Sequence, residues 1–181
     1  MREIEKHQKN GVTVVSPENT FIADRVSIGE DTMIFPFSWI GRNVKIGRSC
    51  QIGPFAVIRE NSRIGDEAIV GSFVEITRTK IGRKSRVKHL TYLGDAKLGK
   101  RVNVGAGTIT ANFNGKSKNK TVIGNDVFIG CDTVLIAPVK VGDRAKTGAG
   151  AVLTAGQNVP AGKTVVGIPA KLIGKNKRKA K

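Results

Sequence analysis

Only two imidazoles occur among the 181 residues, His7 and His89, and the second opens the stretch HLTYLGDAKLGKRVNVGAGTITANF, residues 89–113. Histidine is the usual general base near neutral pH, with an unperturbed pKa of about 6.5. An amine attacking an acyl group must lose a proton, and a fixed imidazole beside it can take that proton. His89 is the one good candidate for this work, because His7 lies in the polar lead-in MREIEKHQKN, a short helix or a frayed segment, and reads as a solvated surface residue. Cys50 and Cys131 lie far apart in no metal-ligand spacing, so neither a disulfide framework nor a catalytic metal is expected. A three-histidine zinc site cannot be assembled from two such distant histidines.

The chemistry needs a scaffold, and the sequence writes one out. Aliphatic residues recur at every sixth position from Ile22 through Ile28, Ile34, Ile40, Ile46, Ile52, Ile58, Ile64 and Val70 to Ile76. Five-residue steps lead to Ile81 and to Leu98; after a break the frame resumes at Ile123 and runs to Val165. Only Thr110 and Thr147 depart from the aliphatic rule. A period of six fits neither a helix nor a simple alternating strand. It is the hexapeptide signature of a parallel β-helix. Three units per coil give about eight coils, stacked at roughly 4.8 Å. Glycine often follows the aliphatic residue and is expected to permit tight corners. The polar insertion NFNGKSKNK, residues 112–120, should project as a loop.

The reading divides the chain into a lead-in at 1–20, the β-helix at 21–170 and a basic tail at 171–181 ending in KNKRKAK. The formal charge of +17 points towards anionic partners. No apolar run reaches transmembrane length and no signal-peptide pattern opens the chain, so a cytoplasmic protein is the expectation. The tail lacks aromatics or a recognised motif, which is weak evidence for nucleic acid. Solubilising and membrane-surface roles stand equally for it, and neither nucleic acid nor membrane is the expected partner of the chain. Phe37 and Trp39 read as packing residues at a turn.

Placing the coils in register puts Ala106, Cys131, Ala149 and Gly167 on successive rungs above His89. All are small. Four rungs span roughly 19 Å, a length suited to an extended arm such as pantetheine, whose amides could pair with exposed backbone. An acyl thioester at the foot of that slot would meet the imidazole, with the backbone N–H of Ala106 as a candidate oxyanion donor. A tight subunit interface would use small residues equally well.

These residues carry a resemblance. HLTYLGDAKLGKRVNVGAGTITANFNGKSKNKTVIGNDVFIG, with NGVTVVSPENTF and GPFAVIRE upstream, is similar to the acetyltransferase domain of the bifunctional glucosamine-1-phosphate acetyltransferase/N-acetylglucosamine-1-phosphate uridylyltransferase family. It covers about residues 10–150 and is most specific over 73–138. The resemblance implies a left-handed β-helix, a homotrimer and acetyl-CoA as cosubstrate, in UDP-N-acetylglucosamine biosynthesis. It makes His89 the catalytic base. Arg59, Tyr92 and Asn103 become sugar-phosphate ligands, and Asn112 and Lys118 acceptor-site residues supplied partly by a neighbouring loop. Ala106, Cys131 and Ala149 line the acetyl-CoA site, where the family often has Ser in place of Cys131.

The sequence also departs from that family. Its substrate-binding Lys falls at Thr77, with Arg78 or Lys88 as possible substitutes, and its loop Tyr is Phe113. No LxxGxGTRM-like stretch occurs, so uridylyl transfer is not expected. The segment VVGIPAKLIG resembles the exit of other hexapeptide acyltransferases. The expected activity is N-acetylation of an amino-sugar phosphate, glucosamine 1-phosphate first. The alternatives are another amine, such as a nucleotide-linked amino sugar, or a non-catalytic partner of a separate uridylyltransferase.

Overall fold

The computed structural model describes residues 2–173. Almost every hexad becomes a strand of two or three residues, such as Lys45–Ile46, Gln51–Ile52 and Val57–Ile58. Each strand pairs in parallel with the strand one coil on, as in Met33↔Gln51, Trp39↔Val57 and Lys45↔Arg63. The result is a parallel β-solenoid of about eight coils with three sides. The first side begins with Thr13–Val14, the second with Phe21–Ile22 and the third with Ser27–Ile28. The lone antiparallel pairing between described strands, Val165↔Leu172, turns the chain back at the far end.

The aliphatic frame points inward. Ile34, Ile52, Val70 and Val87 are fully buried on the first side, and Ile40, Ile58, Ile76 and Leu93 on the second. Each such side chain is worth roughly 1.5–3 kcal/mol over its exposed state. The two exceptions to the rule are also buried, and each has a hydroxyl task. Thr110 Oγ1 accepts the Gly94 N–H at 2.7 Å, and Thr147 Oγ1 accepts the Gly130 N–H at 2.9 Å. Both threonines hold the rung beneath them.

Glycine does a different job from the one expected. The left-handed corners are mostly occupied by other residues, among them Asn43, Lys84, Arg101 and Asp126. The glycine after the aliphatic residue is required by close approach between coils. A Cβ on Gly105 would lie 2.5 Å from the Cys131 nitrogen, and one on Gly130 would lie 2.7 Å from that of Ala149.

Two further expectations are corrected. His7, on the helix Arg2–Lys9, is 3% exposed instead of solvated. The helix packs near Thr13–Val14, and Ile4 and His7 face inward where the first coil would otherwise be open. Burial, with the Lys6 charge behind it, holds the imidazole below its ordinary pKa. Trp39, expected at a turn with Phe37, lies instead in a strand, where it stacks on Phe21; Phe37 is an exposed corner residue that packs by stacking on Phe55.

Candidate active site

The strands Ile69–Thr77 and Arg86–Gly94 are nine residues each, far longer than the others, and carry the chain around the edge between the first and second sides. They pair from Ile69↔Arg86 to Thr77↔Gly94, with Ser72 opposite His89. His89 therefore sits at the edge itself, exposed, followed by Leu90 in a left-handed conformation.

Above it the register runs Val87↔Val104, Val104↔Ile129, Phe128↔Lys146 and Thr147↔Val165. Two residues beyond this frame, His89, Ala106, Cys131, Ala149 and Gly167 stack on one edge. Coil-to-coil hydrogen bonds fix the alignment, with Asp132 N–H donating to Ala106 O at 2.7 Å and Gly150 N–H to Cys131 O at 2.8 Å. The carbonyls are thus used. Among the described residues the N–H groups of Ala106, Cys131 and Ala149 donate to nothing. Cys131 and Ala149 are exposed, so on one chain this edge is an open ledge fringed with free donors.

The remaining site residues gather on the second side and its far edge. Tyr92 projects from the second side, opposite Glu75 and Ile109. Gly94 is the floor on which Tyr92 and Asn112 meet, because a Cβ there would lie 2.6 Å from Tyr92 Oη and 2.5 Å from Asn112 Nδ2. Arg59 donates Nε to Glu75 Oε1 at 2.5 Å, and Glu75 is the strand partner of Tyr92. Asn103 is set apart. It pairs with Arg86 on the first side, across the edge from Tyr92.

The loop after Ile109–Ala111 projects as expected, closed by a Phe113↔Lys118 bridge. Its base is tied to a network absent from the sequence reading. Arg78 forks onto Asp95, Nε to Oδ1 at 2.7 Å and Nη2 to Oδ2 at 2.9 Å, while Asn112 Nδ2 donates to Asp95 Oδ2 at 2.5 Å. Arg78 first, then Asn112 and the Lys118 charge, hold the Asp95 carboxyl below the usual carboxylate range. The signal was present as spacing, since Arg78 and Asp95 are 17 residues apart, one shortened coil.

Thr77 is 5% exposed, and its hydroxyl receives Arg78 Nη1 at 3.1 Å. Arg78 is therefore spoken for and is a poor substitute for a free lysine. Lys88, beside His89, is exposed. A cavity of about 470 Å³ lined by Phe21, Trp39 and Arg42 lies on the early coils, away from all of this chemistry.

The family description "Bacterial transferase hexapeptide (six repeats)" matches residues 43–78 and 120–155. The bifunctional protein GlmU of Rubrobacter xylanophilus is 40% identical over 95% of this chain and 43% of its own length. That of Listeria innocua is 42% identical over 83% of this chain and 40% of its own length. The chain thus spans about two-fifths of the curated relatives it matches. Among solved structures, the polySia-specific acetyltransferase NeuO aligns over 94% of this chain and 91% of that one, at 20% identity and a TM-score of 0.46. Repeat, coil architecture and sequence agree: two stretches of the chain carry the repeat of the hexapeptide transferases, and over most of its own length the chain is similar to part of the bifunctional GlmU proteins.

Proposed function

We propose that this chain is an acetyl-CoA-dependent N-acetyltransferase whose acceptor is an amino-sugar phosphate, glucosamine 1-phosphate. The observation that carries the reading is the ledge: an exposed imidazole at its foot and three small residues with unused N–H groups above it. The GlmU likeness supports the same assignment. Acetyl-CoA supplies the acetyl group as a thioester. The chain's residues do the rest. The N–H groups of Cys131 and Ala149 pair with amide carbonyls of the pantetheine arm, and that of Ala106 faces the charge developing on the acyl oxygen. His89 accepts the amine proton as the C–N bond forms and the C–S bond breaks.

Arg59, oriented by Glu75, and Lys118 hold the phosphate, and Tyr92, Asn103 and Asn112 orient the sugar. Asn103 lies across the edge from Tyr92, so the acceptor must straddle that edge. A homotrimer would turn the ledge into a slot, with the neighbouring subunit as its second wall. The exposed side chain of Ile109 and its half-buried partner Val134, on the second side, suit such a contact.

The buried Thr77 favours one second reading, a nucleotide-linked amino sugar, because the phosphate site has one cation fewer. CoA thiol release separates the two. Glucosamine 1-phosphate should outpace glucosamine, glucosamine 6-phosphate and a nucleotide-linked amino sugar at equal concentration. Preference for the nucleotide-linked sugar would replace the first reading, and no turnover with any amine would overturn both.

A further inference from the structure

The three outward surfaces of the solenoid differ in charge. On the edge between the third and first sides, cations and anions alternate and pair across rungs. Arg48 bonds Glu30, Arg83 bonds Glu67, Lys84 lies 3.2 Å from Glu67 and Arg101 lies 2.5 Å from Asp126. The third side itself breaks this pattern. Its outward residues run Lys45↔Arg63, Arg63↔Lys80 and Lys80↔Lys97, then Lys97↔Val122 and Val122↔Lys140. Five cations thus stand on six consecutive rungs, all exposed, over roughly 24 Å at the usual strand spacing. None forms an ion pair within 4.0 Å among the described residues.

Like charges directly opposite each other on neighbouring strands are destabilising. The neighbouring edge demonstrates that this fold can pair its charges, so the third side carries an electrostatic cost that an anionic partner would relieve. The one gap in the ladder, at Val122, is flanked by two recesses that share Lys120. One, of about 230 Å³, is lined by Lys80, Lys97 and Lys120 together with the paired Arg78 and Asp95; the other is lined by Lys120 and Lys140.

We propose that the third side is a docking face for an anionic lipid surface. Four of the five ladder cations are lysines, compact point charges instead of the bidentate forks typical of phosphate-backbone recognition. The aromatic residues that would stack nucleobases are on other surfaces. Phe21, Trp39 and Tyr92 are on the second side, and Phe37, Phe55 and Phe73 line the edge between the first and second sides. Lipid headgroups diffuse in their plane and can meet cations at any spacing, whereas the phosphates of a nucleic-acid strand are fixed along it at about 3.4 Å of axial rise. The recesses beside Lys120 are of a size to receive a headgroup phosphate.

The test is co-sedimentation of the full chain with vesicles of phosphatidylcholine containing 30% phosphatidylserine, at low salt. Binding is expected there, and loss of it on pure phosphatidylcholine or in 0.5 M salt. A face variant, Lys45→Gln, Lys80→Gln, Lys97→Gln and Lys140→Gln together, should bind on the order of 600-fold more weakly, at about fivefold per charge removed. A charge-matched control, Lys9→Gln, Arg25→Gln, Lys146→Gln and Lys163→Gln, removes four exposed cations from elsewhere and should retain most of the binding. A third variant exchanges the basic residues of 175–181 for Gln and should do the same. Equal losses in face and control variants would overturn the proposal in favour of bulk charge. Loss confined to the tail variant would overturn it in favour of the tail, and tighter binding to a 30-base-pair DNA duplex would make the partner nucleic acid. Circular dichroism of each variant distinguishes lost binding from lost fold.

Discussion

One edge of the solenoid carries two opposite surfaces. Below His89, the corner positions are filled by Phe37, Phe55 and Phe73, whose rings stack at 4.9 and 5.2 Å, and the run continues to Leu90. Above it, the same corner carries Gly107, Asp132 and Gly150, beside Ala106, Cys131 and Ala149. The backbone is common to both halves. Phe55 has φ of 56° and Asp132 has φ of 56°, the same left-handed turn on different coils. What distinguishes them is side-chain volume, and the change occurs at the imidazole. A repeat scaffold thus supplies position, and the proposed thioester track is the half whose rungs are left bare.

The largest effect should come from the boundary between the halves. His89→Ala is expected to lower kcat by about 10²- to 10⁴-fold, the range for a lost general base, with acetyl-CoA affinity retained. Thiol-release kinetics measure it, and an unaffected rate would remove His89 from the mechanism. Next is the bare half. Cys131 is exposed and Cys50 buried, with burial raising the Cys50 thiol pKa, so N-ethylmaleimide should label Cys131 alone. Saturating CoA should slow that labelling at least about tenfold, if the arm covers it as a bound ligand covers its site. Mass spectrometry reads both outcomes, and equal labelling with and without CoA would take Cys131 off the track.

Away from the edge the effects shrink. The Arg78–Asp95 pair depresses the carboxyl pKa, so its stabilisation is fully present above the unfolded value of about 4 and is lost as acid protonates Asp95. The pair is partly exposed, so Arg78→Met should cost up to about 1 kcal/mol at pH 7 and less below pH 4. Denaturant titration at both values measures this, and a cost independent of pH would dissociate the two groups. The filled half should respond least. Phe55 is 43% exposed, so Phe55→Ala should cost about 1 kcal/mol or less in stability and leave CoA affinity unchanged. A weakened CoA site in that variant would blur the two halves.

The fold was legible because its period is uncommon and nearly unbroken. Six-residue spacing fixed which residues point inward, and the two five-residue steps shortened corners at 77–79 and 94–96 without breaking the frame. The ledge was legible for the same reason, since residues one coil apart become neighbours. The charge network escaped notice because its partners sit at several offsets: 18 residues on a full coil, 17 on a shortened one, and 16 where a side chain reaches diagonally to the next rung. Arg59 meets Glu75 at 16, Arg78 meets Asp95 at 17 and Arg42 meets Asp24 at 18. The Phe37–Phe55–Phe73 stack and the third-side lysines lie at the same offsets, and become visible only when outward positions are read as columns. The burial of His7 has another cause: a helix of eight residues rich in charge gives little pattern, and the need to cover an open end of the solenoid overrides its polarity.

The account stands on the bare half of the edge being the place where the thioester arm lies. Ala149 is exposed two rungs above Ala106, so Ala149→Trp fills the ledge without disturbing the core. Calorimetric titration of CoA into the folded variant should give an affinity at least about tenfold weaker than that of the parent chain, a loss near 1.4 kcal/mol. Equal affinity in the two proteins would mean the arm binds elsewhere, and the imidazole would have no acyl group to serve.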